Sequence, residues 1–157
     1  MKRVVLSFGM AAMMLAGLMA LVSAAALYLD GPGAAGSFLL SALVVFFCGG
    51  GLVLATAEPR RDLNKRESYM LLFLFWLGLP PFAALPFWLG PWSLDADLAL
   101  FESVSALTTT GLTALGDIKT APRSLLLWRA LLQWAGGLMT VVLLVVLLVG
   151  LRVGGLQ

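Results

Sequence analysis

The chain has 157 residues, 61% of them hydrophobic and only 11% charged, with a formal net charge of +2. A soluble domain is about 45–50% apolar and about 25% charged, so this much apolar surface is matched to lipid and to neighbouring helices. Histidine is absent, which removes imidazole catalysis and histidine metal ligation, and no basic arm or aromatic–basic pattern points to nucleic acid.

Four stretches reach the roughly 20 apolar residues that a helix needs to cross a hydrocarbon core. The first, Val4–Leu29, follows Lys2 and Arg3 and ends near Ser23-Ala24-Ala25-Ala26, like a secretory signal. Its apolar run to Leu27 exceeds the about 7–15 residues of a signal core, so a retained membrane helix is expected. Ala12, Ala16, Ala20 and Ala24 predict a small-residue seam for helix contact. Asp30-Gly31-Pro32-Gly33 is a turn signal before the second stretch, Ser37–Ala57. That stretch holds Gly49-Gly50-Gly51 and the lone Cys48, expected as a small packed hydrophobe. The third, Tyr69–Leu89, carries Pro80, Pro81 and Pro86, which should bend its outer half. Asp97–Leu107 is too short to span; it reads as a surface helix or a re-entrant half-helix. Ser124–Leu151 is the fourth span.

Basic residues set the expected orientation. Lys2 and Arg3, then Arg60, Arg61, Lys65 and Arg66, then Arg152 all fall on one side if the four stretches cross. That side, with both termini, should be cytoplasmic in a cell membrane. The opposite loops hold Asp30, Asp95, Asp97 and Asp117, with Lys119 and Arg123 as their bases. Tyr28, Trp88, Trp92 and Trp128 would form the outer aromatic belt, with Tyr69 at the inner face.

Function points to Asp97–Gly137. A half-helix ends at Leu107, and Thr108-Thr109-Thr110-Gly111 follows. A helix C-terminus carries about half a negative charge and favours a cation before it. An extended strand there can aim carbonyls at an ion in place of its water, and glycine permits the backbone angles that β-branched residues resist. The threonine side chains can bond behind or below the strand, and Asp95 or Asp97 would cap the half-helix start. The alternatives are a polar loop that merely contains threonines, and a Gly111 that only terminates the half-helix. Glu102 and Arg129 lie at matching depth inside the slab. They read as a pair bracing the strand from behind, or as an Arg129 that snorkels outward with Glu102 facing water.

The chain resembles the N-terminal part of the TrkH/KtrB potassium-uptake superfamily, closest to its TrkH branch. The matching residues are Glu67–Leu89 with Trp76 and Leu85-Pro86-Phe87, then Phe101-Glu102, Ser105, Thr108–Gly111, Trp128-Arg129, Gln133-Trp134, Gly136-Gly137 and Val153-Gly154-Gly155. The resemblance implies an all-α integral membrane protein: two leading helices (1–58), then one pore repeat (67–157) with outer helix 69–89, pore helix 97–107, filter 108–112 and inner helix 124–151. It implies Thr108, Thr109, Thr110, Gly111 and Leu112 as filter residues for potassium, the permeant ligand, with Glu102 and Arg129 in support and no covalently bound cofactor. In that superfamily glycine at the position of Gly111 goes with potassium permeation and serine with sodium preference. One repeat supplies one quarter of a pore. The other walls come from three more copies in a homotetramer or from other repeats, unless the chain is a truncated, non-conducting product. The resemblance also implies a cytoplasmic nucleotide-binding regulatory ring as partner. Other readings are a membrane assembly protein or a small four-helix exporter. An enzyme is not indicated, because no nucleophile–base set, metal cluster or phosphate loop stands in the sequence.

Overall fold

The computed structural model describes residues 2–56, 65–92, 94–116 and 118–151. It holds five α-helices: α1 (Lys2–Leu29), α2 (Pro32–Ala55), α3 (Lys65–Leu89), α4 (Ala96–Leu107) and α5 (Arg123–Leu151). All but α4 are long and apolar enough to cross a membrane. Ala57, Arg60, Arg61, Asn64, Asp117, Arg152, the Val153-Gly154-Gly155 ending and the side chain of Lys65 lie outside the described residues.

The turn between α1 and α2 is shorter than the sequence suggested. The Asp30 and Gly31 amides both donate to the Ala26 carbonyl, at 2.9 and 3.0 Å, and Gly31 takes φ 91°. Pro32 then opens α2 at once. Its fixed φ suits a first helical position and its missing N–H is not needed there, so α2 starts five residues before Ser37.

Small residues let α1 and α2 close on each other. A Cβ on Gly9 would stand 2.9 Å from the Gly49 carbonyl oxygen, and one on Gly49 would stand 2.9 Å from that of Gly9. The contact stripe on α1 runs through Ala12, Ala16, Met19, Ser23 and Ala26, and Ser23 Oγ donates to the Ala35 carbonyl at 2.8 Å. Ala20 and Ala24, expected in that seam, are exposed. A helix of about 3.6 residues per turn carries a strict four-residue repeat off the contact line within two or three steps. Cys48 is also exposed rather than packed. It sits about 100° round the helix from Gly49, on the flank of a face made by Phe38, Ser41, Ala42, Val45 and Gly49.

The prolines of α3 remove the amides that would serve the carbonyls four residues earlier, yet the helix continues through them to Leu89. Neighbours bond this stretch. Ser103 Oγ of α4 donates to the Pro80 carbonyl at 2.9 Å, and Trp128 Nε1 of α5 donates to the Ala83 carbonyl at 3.0 Å. Trp128 is therefore no belt residue. It is 0% exposed and meets the Phe38 ring edge-on at 6.0 Å, so that α2, α3 and α5 share one core with Phe87, Leu125 and Leu132. Trp92 is half-buried and donates to the Phe87 carbonyl at 2.7 Å. Tyr28 and Trp88 are exposed, as a belt requires.

The α1–α2 turn also completes α5. Asp30 Oδ1 accepts from the Arg123 amide at 3.1 Å and Oδ2 from the Ser124 amide at 2.6 Å. The first amides of a helix lack partners within it and form its positive end. Burial works against the Asp30 charge, but the hydrogen bonds from Ser124 and Arg123 and the Arg123 guanidinium outweigh it and hold the carboxyl below its usual value.

Candidate functional site

The half-helix α4 begins at Asp95, which occupies the capping position with extended backbone but makes no side-chain cap bond. Asp95, without that bond, and Asp97 in the first turn place negative charge at this end, which suits the positive pole of the helix. Ala99, Glu102, Ser103, Ser105 and Ala106 form its buried face.

The far end of α4 is closed by a two-bond motif. The Thr109 amide donates to the Ala106 carbonyl at 3.0 Å, and the Thr110 amide to the Ser105 carbonyl at 3.0 Å. This pairing is the Schellman pattern, whose turning residue is left-handed and usually glycine. Here the turning residue is Thr109, with φ 58°. A β-branched residue in that region is a genuine outlier, and such outliers cluster at functional sites where the surroundings hold them in place. Thr108 Oγ1 donates to the Val104 carbonyl at 2.8 Å and lies 2.8 Å from Thr110 Oγ1. Helix termination thus falls on Thr109. Gly111, two residues on, has its own positive φ of 78°, so its freedom serves the strand and not the end of α4.

Behind the strand stands the charged pair. Glu102 and Arg129 are both buried, and Arg129 Nε lies 3.0 Å from Glu102 Oε2. These two atoms face each other as charges without the alignment of a hydrogen bond. The outer nitrogen of the guanidinium goes to the loop: Nη2 donates to the carbonyls of Gly111 at 2.9 Å and Leu112 at 2.6 Å. Glu102 Oε1 accepts from Thr113 Oγ1 at 2.6 Å and from the Ala114 amide. Ser105 Oγ adds a bond to the Leu112 carbonyl at 2.6 Å. The loop from Gly111 to Ala114 is held at four points by side chains of α4 and α5.

The structure brings Thr108, Thr109, Thr110, Gly111 and Leu112 into one exposed stretch, with Glu102 and Arg129 behind it. It separates them by the use of their carbonyls. Leu112 O is bonded twice and Gly111 O once. Among the described residues the carbonyls of Thr108, Thr109 and Thr110 accept no hydrogen bond. Sequence reasoning missed two contributors. Ser105 was noted only as a matching residue, and Gly136 contributes by the side chain it lacks: a Cβ there would stand 1.8 Å from the Leu107 carbonyl oxygen. Its signal in the sequence was the Gly136-Gly137 pair on an otherwise bulky helix.

Four membrane-length helices and a half-helix that ends in a braced, exposed loop define an all-α, multi-pass membrane protein. Residues 36–156 match the TrkH family, described as cation transport proteins. The chain belongs to the TrkH family. It is 36% identical over 135 residues to the Trk system potassium uptake protein TrkH of Vibrio parahaemolyticus, covering 85% of this chain and 27% of that protein. It is 38% identical over 146 residues to the TrkH of Escherichia coli K12, covering 92% of this chain and 29% of that protein. The crystal structure of the potassium transporter TrkH from Vibrio parahaemolyticus matches the fold with a TM-score of 0.88 at 30% identity, over 99% of this chain and 33% of that one. The chain thus spans less than a third of the length of these curated relatives.

Proposed function

We propose that the chain contributes one wall of a potassium-selective pore, with the carbonyls of Thr108, Thr109 and Thr110 facing the ion and Gly111 turning the strand beside its path. The observation that carries this reading is the division of labour among the carbonyls. Arg129 and Ser105 draw those of Gly111 and Leu112 back toward the protein, while those of Thr108, Thr109 and Thr110 are left uncommitted at the negative end of α4. A cation there gains oxygen ligands and the helix dipole together. Leu112 becomes an anchor of the loop in this scheme and not an ion ligand. The potassium uptake named for the relatives supports the choice of ion.

One strand coordinates an ion from one side. The remaining walls come from further copies of the chain, as a homotetramer, or from other pore repeats. A cytoplasmic nucleotide-binding ring is the regulatory partner in this reading, and both termini face the cytoplasm. The test is flux of potassium and of sodium into liposomes for the parent and for Gly111→Ser. At φ 78° a serine is strained and adds bulk beside the ion path. The expected result is lower potassium preference with assembly intact; unchanged preference in a conducting variant overturns the filter reading.

A further inference from the structure

A groove of about 810 Å³ opens between α1 and α3 at the end where both helices begin. One wall is a stripe on α3, Arg66, Tyr69, Met70, Phe73, Leu74 and Leu77, and the other is Val4 and Val5 of α1. The α3 residues recur at intervals of three and four, so they form one continuous face. Phe73 and Leu77 are 68% and 62% exposed, and among the described residues the groove before them is open.

The groove is graded from polar to apolar along its length. At its mouth stand the exposed guanidinium of Arg66 and the ring of Tyr69. Arg66 makes no ion pair among the described residues. Below these two the lining is entirely apolar down to Leu77. From Arg66 to Leu77 the helix rises about 16 Å, close to the roughly 15 Å of one half of a hydrocarbon core. The groove is one leaflet deep. Its mouth is also basic among the described side chains, since residues 2–5 and 66–69 hold Lys2, Arg3 and Arg66 against the single acid Glu67.

We propose that this groove is a binding site for an anionic phospholipid, with one acyl chain along Met70, Phe73, Leu74 and Leu77 and the phosphate on Arg66. Arginine presents a planar fork of donors that matches phosphate oxygens, and tyrosine is favoured at headgroup depth, where its ring is half wet. The site needs only that this end of the bundle meets a membrane surface. It does not depend on the filter reading or on which side of the membrane the termini occupy.

Two measurements test it on the full chain. In the first, native mass spectrometry follows lipid retention with equal additions of dioleoylphosphatidylglycerol and dioleoylphosphatidylcholine. The anionic lipid should be retained about fivefold better, the factor that one basic residue gives near an anionic surface. Arg66→Gln should bring the two within about twofold, with helix content unchanged, and Arg66→Lys should keep part of the preference. Equal retention by the parent, or a preference that Arg66→Gln leaves intact, overturns the proposal. In the second, a benzophenone amino acid replaces Phe73 and is illuminated in mixed membranes. Adducts should carry the mass of the anionic lipid in excess of its share of the membrane. Adducts that follow the bulk composition, or that form only with protein, overturn it and identify the occupant as bulk lipid or a protein partner.

Discussion

Gly136 of α5 lies against the last carbonyl of the half-helix, so near that a Cβ at residue 136 would stand 1.8 Å from Leu107 O. The end of α4 is thereby seated directly on the backbone of α5. Gly137, one residue on, is a natural control, because a Cβ there would meet only Thr109 Cγ2 at 4.0 Å.

Gly136→Ala should push the two helices apart. Overpacking of this kind costs about 1–3 kcal/mol, and here it acts at the base of the Thr108–Ala114 loop. The melting temperature and potassium flux should both fall, while Gly137→Ala changes each far less. Thermal unfolding in detergent and liposome flux, run on both variants, check this.

Breaking the buried pair should be costly in either direction. Glu102→Gln or Arg129→Met leaves the other charge uncompensated, about 3–5 kcal/mol in typical cases. Arg129→Met also releases the Gly111 carbonyl and leaves that of Leu112 held by Ser105 alone. It should therefore lower ion selectivity more than Glu102→Gln at equal loss of stability. Flux ratios and melting curves for each single variant and the double variant separate the two effects.

Asp30 gives the molecule an acid-sensitive contact. Its folded value is depressed, so its contribution is complete above the unfolded value of about 3.9 and is lost as pH falls through the lower folded value. Asp30→Asn should melt below the parent at pH 7. The gap should close as the pH is taken below about 3.9, because the protonated parent then resembles the variant. A gap that is constant with pH would refute the role of the charge.

Thr109→Gly should relieve the left-handed backbone, where glycine is the usual residue. The melting temperature should rise or hold, and the strand should lose rigidity, because glycine widens the choice of backbone angles. Stability and selectivity then move in opposite directions. A variant that is both less stable and equally selective would show that Thr109 is not strained in its place.

The orientation is open to labelling. In a Cys48→Ala background, a cysteine at Gly33 should react with an impermeant external thiol reagent and one at Asn64 should not. The reverse pattern overturns this topology and the proposed pore orientation with it.

Much of the site was legible because its chemistry is local. The half-helix ends where apolar periodicity gives way to Thr108–Gly111, and an acid and a base at equal depth in a membrane have few reasons to exist apart, so Glu102 and Arg129 could be paired by position. What stayed hidden depended on partners without a sequence signature. Trp128 sits where an interfacial tryptophan would, and only the Ala83 carbonyl and the Phe38 ring reveal it as core. Asp30 looked like a turn residue because its partners are backbone amides, which every residue but proline carries. Thr109 could not be read as the left-handed residue with a glycine two positions away. The alanine seam failed for a geometric reason: four-residue spacing is easy to see in a string and is not the period of the helix.

The Asp30 contact bears on how the chain enters the bilayer. The carboxylate is in place once the first two helices have turned, and the helix start it receives is synthesised 93 residues later. Had α5 crossed in the opposite sense, its carbonyl end would have met the same carboxylate, and like poles repel. The turn therefore favours the observed direction of α5 over the reverse, by the roughly 0.3–1 kcal/mol of an exposed charge at a helix end.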